Sequence, residues 1–220
     1  HMADPLYDAW KHGIVVQAFA HRGIAANVAP LRRVAARSRR RAVLSAERQG
    51  SRVVLGYHGE GTHRLVDLDE CPVLAPAIVA ALDGLKAIAA AVLPAAGRAR
   101  LTVAAADGGL DVACEAGRPR LSPDRRMALA QLATRHRLAR LTLDGTLIAA
   151  PGRVRVTLNG VAVEATPDSF LQAVPEAETV LTGLVLAAVG KARTVADIFC
   201  GLGTFTFALA RRARVTAVDG

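Results

Sequence analysis

At 220 residues the chain is long enough to bury a sizeable core in one or two domains, and its 52% hydrophobic content, chiefly small aliphatic residues, argues for a folded protein. No apolar run approaches the roughly 18 residues that a bilayer-spanning helix needs, and three cysteines, Cys71, Cys114 and Cys200, are too scattered for a disulfide framework, which points to the cytoplasm. A net charge of +9, almost all from arginine, favours a polyanionic partner because the guanidinium fork matches phosphate, although a GC-rich genome gives the same bias.

Asp4 as cap and Pro5 open a first helix with Leu6, Trp10, Ile14 and Ala18 on one stripe and Gly23 past its end. Residues 31–52 then carry eight arginines against a single acid, Glu47. A hairpin with strands at 40–48 and 52–58 about Gln49-Gly50-Ser51 would present a stripe of guanidinium groups. Arg37, Arg39, Arg40 and Arg41 are therefore the candidate phosphate contacts of a nucleic acid. The competing reading is a solvated sheet face, and no aromatic residues interleave as a base-stacking platform. His58, His63 and Cys71 match no zinc spacing.

Residues 76–92 show the period of an amphipathic helix, with Ile78, Leu82, Leu85 and Ile88 inward and Pro94 ending it. Strands at 98–105 and 110–115 form a hairpin about Asp107-Gly108-Gly109, with Cys114 on its buried face. Ser122-Pro123-Asp124 starts another helix, with His136 as a favourable charge near its end. Short strands follow at 138–143, 146–149 and 154–158, so residues 3–159 read as an α+β domain.

Residues 160–220 read as the start of an α/β domain. A helix over 176–189, closed by Gly190, leads to Thr194-Val195-Ala196-Asp197-Ile198-Phe199-Cys200-Gly201-Leu202-Gly203-Thr204-Phe205-Thr206. An apolar run ending in a carboxylate, a glycine turn and a helical pattern make the geometry of a nucleotide cofactor site. Strand 214–218 delivers Asp219, placed to accept the ribose hydroxyls. A dinucleotide fingerprint would need Gly or Ala where Thr206 stands, so the spacing favours S-adenosylmethionine, which has no pyrophosphate to cradle.

The run from Asp197 to Thr206, preceded by Phe170-Leu171-Gln172, resembles the RNA uracil-C5 methyltransferases of ribosomal and transfer RNA, strongly from Phe170 onward and weakly before it. The resemblance implies a Rossmann-like class I methyltransferase domain. It places Gln172, Asp197, Phe199, Gly201, Gly203, Thr204 and Asp219 at the cofactor and makes RNA, ribosomal in preference to transfer, the partner. Val174 stands where the family often has Asn. In the family a cysteine thiolate adds to uracil C6, the enolate-like C5 takes the methyl group, and a base removes the C5 proton, on a uridine flipped from its stack. Both groups come from later strands of the family's sheet. The chain is accordingly expected to be a piece truncated at both ends, with no catalytic residue of its own, and Cys200 reads as a cofactor contact. Cys71, before Pro72, resembles the last ligand of the 4Fe-4S cluster of some members, whose other cysteines would precede this sequence. The alternative function is a non-catalytic RNA-binding module with a vestigial cofactor loop.

Overall fold

A computed structural model describes residues 2–117, 119–166 and 169–219. Its contacts gather the chain into two compact units, residues 1–35 and residues 36–220.

The first unit is built on helix α1 (Asp4–Ala20). Its N-cap is Ala3 and no side chain caps it, so Asp4 belongs to the first turn, where a carboxylate favours the helix dipole. The chain then folds back along the helix: His12 Nε2 bonds the Val28 carbonyl at 3.0 Å. Arg33 pairs with both Asp4 and Asp8 at 2.8 Å. Those carboxylates raise the Arg33 pKa above its ordinary value. Arg33 thus serves its own unit.

The second unit begins with the expected hairpin, β1 (Arg41–Gln49) and β2 (Arg52–His58), turned at Gly50. Strand β3 (Leu65–Asp67) adds to β2, so closely that a Cβ on Gly56 would lie 2.0 Å from the Val66 carbonyl oxygen. The single helix expected over 76–92 is two, α2 (Pro76–Val79) and α3 (Leu82–Val92), which break at Ala80-Ala81. The hairpin β4 (Arg98–Ala106) and β5 (Gly109–Glu115) follows, then α4 (Pro123–Arg135), capped by Ser122, and β6 (Leu138–Leu143) and β7 (Thr146–Ala149).

These strands form one mixed sheet in the order β3-β2-β1-β4-β5-β6-β7, antiparallel except where α4 carries the chain from β5 to a parallel β6. Alternation puts Ala42, Leu44 and Ala46 of β1, Leu101 and Val103 of β4, and Val112 and Cys114 of β5 on one buried face, against Ile78, Leu85, Ile88 and Leu129 of the helices. The other face carries Arg41, Val43, Arg100, Thr102 and Asp111.

A separate two-stranded hairpin, β8 (Arg155–Leu158) and β9 (Val161–Glu164), turns at Asn159-Gly160, both with positive φ. The expected domain start at residue 160 falls on this turn. Helix α5 (Pro175–Val189) ends at Gly190, and β10 (Thr194–Ile198), α6 (Thr206–Leu209) and β11 (Arg214–Val218) complete the described chain. Strands β10 and β11 pair in parallel, Asp197 opposite Ala217. Val156 and Leu158 pack with Leu171, Leu202 and Phe207, which joins the β8-β9 hairpin to the glycine turn. Among the described residues no helix is long and apolar enough to cross a membrane.

Candidate functional site

The sharp reversal between β10 and α6 is made by residues whose backbone lies in the left-handed region. Phe199, Gly201 and Gly203 have φ of 61°, 53° and 90°. A Cβ on Gly201 would meet nothing within 4 Å, whereas one on Gly203 would sit 2.7 Å from the Phe207 ring. Gly201 therefore supplies conformation, and Gly203 supplies conformation and close packing of the helix that follows. Helix α6 spans only Thr206–Leu209, shorter than the sequence pattern implies.

Two contacts stitch this turn to β11. The Cys200 N–H donates to the Val218 carbonyl at 3.2 Å, and the Gly201 N–H donates to Asp219 Oδ1 at 3.0 Å. From the other side Asn159 Nδ2 donates to the Thr204 carbonyl at 2.7 Å, and Arg211 donates to the Asn159 carbonyl. Asn159 is a supporting residue that the sequence reading passes over; the Asn-Gly dipeptide, a strong hairpin-turn signal, marks it.

Beside the turn lies a cavity of about 620 Å³, lined by Gln172, Phe199, Gly201, Thr204 and Asp219 among the expected cofactor residues. Thr166, Ser169, Phe170, Cys200, Leu202 and Phe205 complete its wall. That size suits a nucleoside-bearing ligand. Asp197 and Gly203 are not in the lining. The Asp197 carboxylate accepts the Thr206 hydroxyl, tying the end of β10 to the first residue of α6, so it shapes the turn from below.

The residues present fit S-adenosylmethionine. The Gly201 turn leaves open space where a side chain would stand, aromatic rings lie on the wall, and the Asp219 carboxylate, at the end of the second strand, holds one oxygen on the loop. Its other oxygen accepts no bond among the described residues and is available to a ribose hydroxyl.

An iron–sulfur cluster does not fit the described residues. They contain no group of three or more His, Cys, Asp or Glu side chains arranged to hold a metal, and Cys71 is a free, partly buried thiol. A cluster needs four ligands, so no chemistry is assigned to one here.

The four candidate RNA arginines do not share one environment. Arg37 and Arg39 are exposed. Arg41, on the open sheet face, has its guanidinium carbon 5.9 Å from the Phe170 ring centroid. Arg40 is turned inward: its Nη2 pairs with Glu178 at 2.6 Å, the two side chains being 13% and 9% exposed. An arginine committed to a buried carboxylate is not offered to a phosphate, and Arg40 leaves the contact set. Arg48 and Arg52 are likewise engaged, by the Ala90 carbonyl and by Asp67.

No family model matches the chain. Over its whole length it is 40% identical to an uncharacterized RNA methyltransferase of Brucella suis and 39% identical to one of Rhizobium meliloti, covering 52% and 53% of those proteins. Over 77% of its length it is 34% identical to a 23S rRNA uracil-C5 methyltransferase of Edwardsiella ictaluri, 40% of which is covered. The fold matches the whole chain to a solved tRNA uracil-C5 methyltransferase of Pyrococcus abyssi, in complex with S-adenosyl-L-homocysteine, with a TM-score of 0.71 at 19% identity and 56% of that chain covered. The chain thus spans about half the length of the curated relatives it matches.

Proposed function

We infer that this chain, whose relatives along its entire length are RNA methyltransferases, belongs to an enzyme that methylates C5 of a uridine in RNA using S-adenosylmethionine. The observation that carries the reading is the cavity where Gln172, the Gly201 turn and Asp219 converge. Bound there, the cofactor would supply an electrophilic methyl group. Asp219 would hold its ribose, the Phe199 and Phe205 rings would exclude water beside it, and Gln172 would offer a polar contact. Because the chain spans about half of its relatives, the complete reaction, including the nucleophilic thiolate and the base, is proposed for the whole protein.

We propose residues 3–159 as an α+β RNA-binding part and residues 160–220 as part of a Rossmann-like methyltransferase domain. The parallel β10-β11 pair with its glycine turn supports the second assignment. The RNA contacts proposed are Arg37, Arg39 and Arg41. Ribosomal RNA is the proposed substrate and the cytoplasm the proposed compartment; the Edwardsiella relative supports the former. The test is calorimetric titration of S-adenosylhomocysteine into the full-length protein and into Asp219→Ala. Binding that Asp219→Ala abolishes supports the reading. RNA binding without any cofactor binding would replace it with a non-catalytic RNA-binding module.

A further inference from the structure

We propose that Arg40 is a positioning residue for the cofactor site, clamping the Gln172 turn through its own guanidinium and main chain. The proposal rests on the cofactor reading above and goes beyond it by giving a function to an arginine that sequence pattern assigns to RNA.

Three bonds converge on the clamp. Arg40 Nε donates to the Gln172 carbonyl at 3.0 Å, and the Arg40 N–H donates to the neighbouring Ala173 carbonyl at 2.7 Å. Arg40 Nη2 pairs with Glu178 Oε2 at 2.6 Å. Glu178 sits in the first turns of α5, so one guanidinium spans from the turn before that helix to the helix itself. The planar fork serves both acceptors at once, each from its own nitrogen, Nε and Nη2.

The Arg40 side of the clamp is itself held. Its carbonyl accepts from the Ala105 N–H at 2.7 Å, and the preceding residue, Arg39, is bridged to residues 73–75 on its other side. Arg40 is thus tied to the end of β4 and, through Arg39, to residues 73–75, and through it Gln172 is tied to the seven-stranded sheet. On the far side Leu171 is buried against Val156 and Leu158. Leu171 is anchored in that cluster and the Gln172 and Ala173 carbonyls are taken by Arg40, so the Gln172 backbone is held on both sides. Its side chain is left on the cavity wall. The buried pair is poor evidence for stability in itself, since desolvation offsets its attraction. Its geometric specificity is what the site gains.

The test separates positioning from stability. Arg40→Lys keeps a cation for Glu178 but loses the fork that gives Glu178 and the Gln172 carbonyl a separate donor nitrogen each. In the full-length protein it is expected to weaken S-adenosylhomocysteine binding about three- to tenfold while leaving the melting temperature nearly unchanged. Gln172→Ala made on top of Arg40→Lys is expected to cost less than Gln172→Ala alone, because the two changes remove one function. Unchanged affinity in Arg40→Lys, or strict additivity with Gln172→Ala, would overturn the clamp. Should Arg40→Lys fail to fold, Glu178→Gln serves instead. It keeps an acceptor for Arg40 but removes the charge that anchors Nη2, and is expected to weaken S-adenosylhomocysteine binding about two- to fivefold. Binding by Glu178→Gln as tight as that of the unsubstituted protein would refute the assignment. No binding by the unsubstituted protein would overturn the cofactor reading and the clamp together, whereas binding that Arg40→Lys leaves intact overturns the clamp alone.

Discussion

Asp219 Oδ1 accepts the Gly201 N–H at 3.0 Å, so the carboxylate at the end of one parallel strand fixes the glycine turn at the end of its neighbour. One side chain thus closes the loop and also lines the cavity beside it. Asp219→Asn keeps an acceptor for the loop but lacks the charge that strengthens a bond to a ribose hydroxyl. The expected result is a graded loss of S-adenosylhomocysteine affinity, about tenfold for Asp219→Asn and more for Asp219→Ala, read by calorimetry. Equal losses in the two variants would show that the acceptor kept for the loop contributes nothing and that the charge carries the whole effect.

The two glycines of the turn should differ in cost. At Gly201 an added Cβ meets open space, so Gly201→Ala carries only the penalty of a left-handed backbone, roughly 1–2 kcal/mol. At Gly203 the same backbone penalty is joined by a clash with the Phe207 ring 2.7 Å away, and that ring packs with Leu158 and Leu171. Gly203→Ala should be the more destabilising by about 1–3 kcal/mol in urea unfolding. Equal costs would mean that Phe207 moves aside freely.

Much of this arrangement is legible in the sequence, and the exceptions share a cause. The β1-β2 hairpin, the β4-β5 hairpin, α5 with its Gly190 stop, and the β10-turn-β11 unit are set by local period and turn chemistry, which a sequence displays directly. Strand β9 escapes because its four residues are too short a run to show a period, and only the Asn159-Gly160 turn marks the hairpin. Arg40 escapes because its partner, Glu178, is 138 residues away, and nothing local distinguishes it from Arg39 and Arg41. Asp197 stands at its expected place, yet its Thr206 partner turns it from ligand contact to support.

Asp67 gives the fold a defined acid sensitivity. Burial alone would raise its pKa, but the Leu55 N–H, Arg52 and Lys86 outweigh that and hold it down to about 2. A carboxylate depressed in the folded state adds stability that is present above its unfolded pKa and is lost as pH falls through the folded value. The loss should therefore run from about pH 4 down to about pH 2 and amount to about 1–2 kcal/mol after solvent screening. Unfolding free energies across that range should fall more steeply for the unsubstituted protein than for Asp67→Asn. Parallel slopes would refute the role of Asp67.

The Cys114 thiol, buried in the sheet core, is pushed up to about 12, first by burial and then by Asp144 and Glu115 nearby. It has almost no thiolate at neutral pH, so iodoacetamide at about pH 8 should label Cys71 and Cys200 and spare Cys114 until the chain unfolds. Peptide mass spectrometry reads this directly. Labelling of Cys114 at the rate of Cys200 under native conditions would mean that the β5 face opens.

The inward turn of Arg40 also sharpens what RNA binding should look like. If Arg37, Arg39 and Arg41 meet phosphates, each neutralised phosphate releases counterions, and the logarithm of affinity falls with the logarithm of salt by about 0.7 per contact on a single strand. Alanine at Arg39 and at Arg41 should each weaken binding and reduce that slope by somewhat less than one. The effect should be the same for RNAs of different sequence, because a phosphate contact carries no base information. Arg41→Ala has a second consequence, since its guanidinium lies against Phe170 on the cavity wall. It should therefore also alter S-adenosylhomocysteine affinity, which Arg39→Ala should leave unchanged. Filter binding at four or more salt concentrations, paired with calorimetry, separates the two. An unchanged salt slope in both variants would remove this surface from the RNA interface.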